Sequence, residues 1–256
     1  MTRKSILTGV SVSKYFGALK ALDDVHFEVY GGEILGIIGP NGAGKTTLLS
    51  VINGTLPITH GRIFFKDREI TGLRPFRVAE LGISRTFQIV KPFPGMTTLE
   101  NAAIGALFGK KPEKKMSRAM EKAAETIGKV ALKGKENILV EKLNVSERKR
   151  LELARALTQD PEILLLDEVM AGLTLREIED IMALIQEVNL GGTTIMVIEH
   201  VMKAIMGISK RIIVLHHGQK IAEGTPDEIT ENRQVIAAYL GERYSKRFEE
   251  TSHAGD

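Results

Sequence analysis

The octapeptide Gly39-Pro40-Asn41-Gly42-Ala43-Gly44-Lys45-Thr46 constrains this chain more than any other stretch, because it fits the phosphate-loop pattern G-x-x-x-x-G-K-[ST] at every fixed position. Its flanks also fit. Ile34-Leu35-Gly36-Ile37-Ile38 ahead of it is an apolar run of the kind found in a buried strand. Thr47-Leu48-Leu49-Ser50-Val51-Ile52-Asn53 behind it carries apolar residues at helical spacing and stops at Gly54, with Pro57 beyond. Strand, glycine loop and helix together give the loop its chemistry. Backbone N–H groups turn inward around phosphate oxygens, and the helix dipole adds positive potential. The pattern assigns Lys45 to the β and γ phosphates of a nucleoside triphosphate and the Thr46 hydroxyl to Mg²⁺.

Composition narrows the class. Hydrophobic residues make up 43% of the 256, enough for a sizeable core, and charged residues a conventional 26%. A net charge of +3 does not argue for nucleic acid, and none is expected as a partner. With no cysteine, disulfides, thiolate metal sites and cysteine nucleophiles are excluded. No run approaches the roughly 18 apolar residues of a spanning helix. The apolar run after Met1-Thr2-Arg3-Lys4-Ser5 is too short for a secretory leader, so a cytosolic chain reaching a membrane only through partners is expected.

Along the chain, the first thirty residues read as strands; Val25-His26-Phe27-Glu28-Val29-Tyr30 alternates with period two before Gly31-Gly32 turns it. Gly61-Arg62-Ile63-Phe64-Phe65 reads as another strand, and residues 110–149 read as helices. Lys110, Lys111, Lys114, Lys115, Arg118 and Lys122 outnumber Glu113 and Glu121 there, a pattern that suits a solvated helical face, or else an anionic membrane surface or acidic partner. Ile163-Leu164-Leu165-Leu166 and Thr194-Ile195-Met196-Val197-Ile198 read as parallel strands buried on both faces. Between them, residues 175–190 read as a helix ending at Gly191-Gly192. His217-Gly218 joins two further strands as a hairpin, and a polar tail from Tyr244 is expected to be mobile. No internal repeat is visible, so one nucleotide unit is expected.

A second constellation lies downstream. The strand 163–166 delivers Asp167-Glu168 at its C-terminal end, the edge of a parallel sheet where ligands sit. There Asp167 is placed to hold Mg²⁺ and Glu168 to polarise an attacking water. His200 follows another strand; taken alone, it fits either a γ-phosphate contact or an exposed loop residue.

In this order the phosphate loop 39–47, Gln88, the basic helix 151–157, Asp167-Glu168 and His200 resemble the nucleotide-binding subunit of an ABC transporter, over roughly residues 5–242. The resemblance implies an α/β fold, an ABC-type P-loop NTPase domain with an antiparallel β lobe and a helical lobe at about 89–158, leaving 243–256 as tail. It makes Phe16 the aromatic that stacks on adenine, with its neighbour Tyr15 as the alternative, and Gly39, Pro40, Asn41, Gly42, Ala43, Gly44, Lys45, Thr46 and Thr47 the residues holding the ATP phosphates. Gln88 joins Thr46 and Asp167 at Mg²⁺ and links the site to the helical lobe. Glu168, with Gln88 and His200, serves hydrolysis. Ala171-Gly172-Leu173-Thr174 matches the loop that crosses the dimer interface, with Thr174 where Asp or Asn is more common.

The family signature is commonly Leu-Ser-Gly-Gly-Gln; the aligned residues here are Leu143, Asn144, Val145, Ser146 and Glu147. Both glycines are gone, and a Cβ at Val145 restricts close backbone approach to a phosphate. Asn144, Ser146 and Glu147 remain the residues expected to meet the ATP of a second subunit, although Ser146 also reads simply as a helix N-cap. Arg85-Thr86-Phe87-Gln88, Met96-Thr97-Thr98-Leu99-Glu100-Asn101 and Val235-Ile236-Ala237-Ala238-Tyr239-Leu240-Gly241 resemble the branched-chain and hydrophobic amino acid importer subgroup. Urea or amide uptake, lipopolysaccharide export and soluble non-transport ABC ATPases are the alternatives. The resemblance implies a second ATPase subunit (identical or different), permease subunits, an extracytoplasmic substrate-binding protein, and a peripheral position on the cytoplasmic membrane face. In a heterodimer, the altered signature implies unequal ATP sites.

Overall fold

The computed structural model describes residues 4–87 and 91–240. The chain begins as an antiparallel ribbon, β1 (Ser5–Phe16) and β2 (Leu19–Tyr30), and then enters β3 (Ile34–Ile38), every residue of which is buried. The phosphate loop leads into α1 (Lys45–Ile52). Next come β4 (His60–Phe65), β5 (Arg68–Glu69), α2 (Pro75–Glu80) and β6 (Ile83–Arg85). A helical stretch follows: α3 (Thr98–Ala106), α4 (Met116–Lys129), a 3₁₀ turn at Val140–Lys142 and α5 (Val145–Leu157). Strand–helix alternation resumes with β7 (Ile163–Asp167), α6 (Leu175–Leu190), β8 (Thr194–Ile198) and α7 (Met202–Ile208). The described chain closes with β9 (Arg211–His216), β10 (Gln219–Gly224), α8 (Pro226–Glu231) and α9 (Arg233–Leu240).

Two sheets result. One is antiparallel, in the order β2-β1-β4-β5; the other has the order β10-β9-β3-β8-β7-β6, parallel throughout except where β10 pairs with β9. The expected parallel strands therefore form, with β3 in the middle between β8 and β9. Strands covered on both faces must be apolar at every position, which is why they read as unbroken runs and not as alternation. One face of this sheet packs against a core that includes Leu35, Ile37, Leu48 and Phe27; the other packs against one that includes Ile38, Leu166, Ile181 and Ile205. The helices α3, α4 and α5 pack on one another.

Caps explain where several helices start. Thr97, Asn144, Thr174 and Thr225 each accept a hydrogen bond from the N–H three residues on, where a Glu side chain returns the favour. Each such box satisfies helix-end N–H groups that would otherwise lack partners. Asn144, not Ser146, caps α5, correcting the sequence expectation; Asn144 sits in extended backbone with its Oδ1 2.9 Å from the Glu147 N–H. No helix among the described residues is long and apolar enough to cross a membrane. The expected mobile tail, from Tyr244, lies outside the described residues.

Gly9 on β1 faces Phe27, and a Cβ there would come 2.1 Å from the ring. Phe27 itself is 2% exposed. Gly9→Ala is therefore expected to destabilise the fold by about 1–3 kcal/mol through overpacking. In a Phe27→Leu background it should cost distinctly less, since the clashing ring is gone. Urea unfolding of the two single variants and the double variant checks this; additive losses would contradict the packing.

Candidate active site

Sheet register brings the scattered motifs to one level. Ile198 on β8 pairs with Ile37 on β3 on one side and with Asp167 on β7 on the other. The phosphate loop, Asp167-Glu168 and Glu199-His200 consequently leave neighbouring strands at the same C-terminal edge. The loop itself runs very close to its surroundings. Gly39 has φ +152, and a Cβ there would sit 2.1 Å from the Leu215 carbonyl oxygen; at Gly44, φ +102, it would sit 2.4 Å from that of Ala21. Only glycine fits both positions.

A cleft of about 930 Å³ opens over the loop. Residues 41–47 line it together with Phe16, Lys20, Glu168, His200 and His217. Phe16, at the end of β1, is 47% exposed, and the Lys14 ammonium lies 4.8 Å over its ring. Lys45 is buried and its Nζ donates to the carbonyls of Gly39 at 2.7 Å and Pro40 at 3.0 Å. Burial lowers its pKa, opposed by the nearby Glu168 and Asp167 carboxylates. The ammonium thus stands ready beside the loop with exchangeable partners.

Asp167 is 1% exposed and bonded at both oxygens. Its Oδ2 accepts from Arg85 at 2.7 Å, while its Oδ1 lies 3.4 Å from the Thr46 hydroxyl. Arg85 also donates to Ser50 Oγ on α1 at 2.9 Å, so it braces the Asp167 carboxylate against the helix that follows the phosphate loop. The Thr46–Asp167 pair offers hard oxygen donors in a small sector. Among the described residues, no group of three or more His, Cys, Asp or Glu could hold a metal by itself. That set fits Mg²⁺, which takes few protein ligands and completes its octahedron with water and phosphate, and not an all-protein cage.

Glu168 adopts a left-handed backbone, φ +53, uncommon for a residue with a side chain. Its main chain is held at both ends: the N–H donates to the Ile198 carbonyl at 3.0 Å, and the carbonyl accepts from Lys149 Nζ at 3.1 Å. Its carboxylate meets His200 Nε2 at 2.8 Å. His200 thus lines the cleft beside Glu168, with its side chain 44% exposed. Residues 144–147 do not line the cleft. The Asn144 N–H and the Lys135 ammonium occupy the Glu147 carboxylate, Ser146 bonds the Glu177 carboxylate, and Val145 is 63% exposed. Gln88 lies outside the described residues.

Four contributors escaped the sequence reading: Arg85, His217, Lys149 and Glu199. Arg85 sat inside the quoted Arg85-Thr86-Phe87-Gln88 motif, and a buried acid such as Asp167 needs a cation, a signal available in principle. Glu199 is 1% exposed, with Oε1 accepting from the Met170 N–H at 2.7 Å.

A strand-to-helix phosphate loop facing a strand-end Asp-Glu pair and a histidine defines a P-loop nucleoside triphosphatase. Residues 22–171 match the family model described as ABC transporter, and residues 219–245 match one described as branched-chain amino acid ATP-binding cassette transporter. The chain belongs to the ABC transporter family and is an ABC-type ATPase. It is 41% identical to the high-affinity branched-chain amino acid transport ATP-binding protein LivG of Escherichia coli, over 89% of this chain and 94% of that one. It is 37% identical to the corresponding protein BraF of Pseudomonas aeruginosa, over 93% and 99%. Among solved structures, a nucleotide-free ATP-binding cassette from an ABC transporter superposes with a TM-score of 0.86 at 33% identity, covering 93% of this chain and all of that one. A dimeric cassette in a post-hydrolysis state, bound to ADP and Pi, superposes with 0.79 at 26% identity, over 86% and 98%.

Burial pushes the Glu199 carboxyl up to about 7, against the opposing pull of the Met170 N–H and Lys149. The folded protein therefore holds this proton more tightly than the unfolded chain. Its contribution to stability declines as pH rises from about 4.5 through 7 and is level above. Glu199→Gln has no such loss. Relative to the parent it should gain on the order of 2–3 kcal/mol between pH 4.5 and pH 8. Denaturant melts at the two pH values measure this, and a pH-independent difference would show that the carboxyl does not titrate as described.

Proposed function

We propose that this chain is the ATP-hydrolysing subunit of a membrane importer for branched-chain amino acids. The nucleotide core is common to ABC cassettes at large, so the cargo reading rests on one observation: the match of residues 219–245 to the branched-chain cassette family. The names of the similar LivG and BraF proteins support it.

In this reading ATP lies along the cleft with adenine on Phe16 and its phosphates in the loop 39–47. Lys45 exchanges the Gly39 and Pro40 carbonyls for β and γ phosphate oxygens. Mg²⁺, when bound, neutralises phosphate charge, and Thr46, Asp167 and Gln88 are the residues that would hold it. Glu168 orients the attacking water and accepts a hydrogen bond from it. His200, bonded to Glu168, fixes that carboxylate and faces the γ-phosphate end. No proton needs to reach a buried store, since the cleft is open to solvent on one side.

The other partners follow from the surface. The resemblance to a dimeric cassette supports pairing with a second ATPase, whose γ-phosphate would meet residues 144–147 of this chain. Phe87, Phe93 and Phe108 are 46%, 41% and 61% exposed around a recess of about 260 Å³ beside α5. Exposed aromatics gathered at one recess mark a docking site, and Arg155 stacking over Phe93 at 4.8 Å frames it. The permease subunit is the partner assigned to it, with the chain peripheral on the cytoplasmic face.

Two outcomes test the reading. Glu168→Gln should lower ATP turnover at least ~100-fold while ATP still binds. In proteoliposomes carrying the permease, partner ATPase and binding protein, leucine should drive ATP-dependent uptake. Stimulation by urea or an amide with none by leucine would overturn the cargo, and an active Glu168→Gln would overturn the chemistry.

A further inference from the structure

Residues 168–171 form a tight turn whose polar backbone groups are gripped from two directions. From the edge of β8, Glu199 takes the Met170 N–H at 2.7 Å, and the Ile198 carbonyl takes the Glu168 N–H. From α5, Lys149 Nζ donates to the carbonyls of both Glu168 and Ala171. These grips hold Glu168 in its left-handed backbone, a conformation that costs about 1–2 kcal/mol and does not persist unsupported.

Glu199 is an expensive residue for that task. A neutral acceptor would serve Met170 equally well, yet a carboxyl is buried here, and its Oε2 has no hydrogen-bond partner among the described residues. What faces it electrostatically is the Lys149 ammonium, itself half-buried and depressed in pKa by burial, together with the Glu168 carboxylate. Lys149 therefore feels both acids while two of its three N–H donors bond the turn.

We propose that Glu199 is a positioning residue for hydrolysis: with Lys149 it clamps residues 168–171 and so fixes Glu168 relative to the helix that opens at residues 144–147. The proposal rests on the reading of Glu168 given above. Lys149 lies two residues beyond Glu147 on α5, so movement of the start of that helix is passed to the main chain of Glu168. A segment assigned to the partner's ATP is thereby wired to the glutamate serving this subunit's own ATP. The wire is a set of named hydrogen bonds to one turn, with Glu199 as its fixed end.

The experiment uses the chain assembled with its permease and partner ATPase, and reads kcat, KM for ATP and the affinity of a fluorescent ATP analogue. Glu199→Leu should lose at least ten-fold in kcat with KM and analogue affinity within two-fold of the parent. Glu199→Gln should return kcat to within three-fold, because its amide oxygen still accepts from Met170. Lys149→Met should lose ten-fold as well, and the double variant Lys149→Met/Glu199→Leu should be no worse than the poorer single. A parental rate for Glu199→Leu, a parallel fall in analogue affinity, no rescue by Gln, or multiplying losses would each overturn the clamp. If Glu199→Leu does not fold, Lys149→Met carries the test, and a parental rate there overturns it. Glu168→Gln run alongside separates the two readings. Its activity would remove the premise, whereas its inactivity beside an active Glu199→Leu would remove the clamp alone.

Discussion

Everything at the site depends on the pairing of β8 with both β3 and β7. Ile198 sits opposite Ile37 and opposite Asp167, so three strands reach their ends at one level. A one-residue slip of either neighbour would reverse which side chains face the core, and the apolar residues of β3, β7 and β8 are buried throughout. Because both faces are apolar, hydrophobicity alone does not set the register; the fit of particular side chains into the two cores, together with the hydrogen-bonded ladder, holds it. The chemistry inherits that precision, because the phosphate loop, Asp167-Glu168 and Glu199-His200 are simply the next residues in each strand.

Burying charge next to that edge carries its own cost, and the pairings limit it. Arg85 and Asp167 are 5% and 1% exposed in their side chains and 2.7 Å apart. An isolated buried ion costs several kcal/mol, and a well-made pair recovers most of this without necessarily adding net stability. What the pair supplies is orientation. One carboxylate oxygen is committed to the guanidinium, so the other is left toward Thr46, where a metal ion would be shared. A hydrogen bond that fixes one oxygen of a carboxylate in this way sets the direction in which the other can bind.

The local elements were legible in the sequence because each carried a strong signal. The phosphate loop with its flanking strand and helix, the α6 bounds and the His217-Gly218 turn all read correctly from apolar spacing and glycine. Proximity was less legible. Asp167, Glu168 and His200 could be named as strand-end residues, but the 2.8 Å contact between Glu168 and His200 depends on which strands are neighbours. Lys149 was hidden for another reason. A lysine on an amphipathic helix normally reads as a solvated side chain, and nothing local indicates that its ammonium turns inward onto carbonyls nineteen and twenty-two residues away.

The N-terminus of α5 illustrates how a lost motif can be replaced by a different local solution. A glycine-rich segment leaves backbone N–H groups bare and close to whatever approaches. Here Asn144 and Glu147 close a capping box, consuming the Glu147 N–H and the Asn144 N–H internally. The Val145 side chain stands out into solvent at the first helical position. An anion approaching this end meets the residual helix dipole and the amides not taken by the box, a weaker electrostatic partner than an open glycine nest. The same capping makes α5 a better-anchored rod, since its first turn needs no ligand to complete it. Weaker attraction at the tip and stiffer transmission along the helix are thus two consequences of one substitution pattern, and the second is what allows Lys149 to report helix position to Glu168.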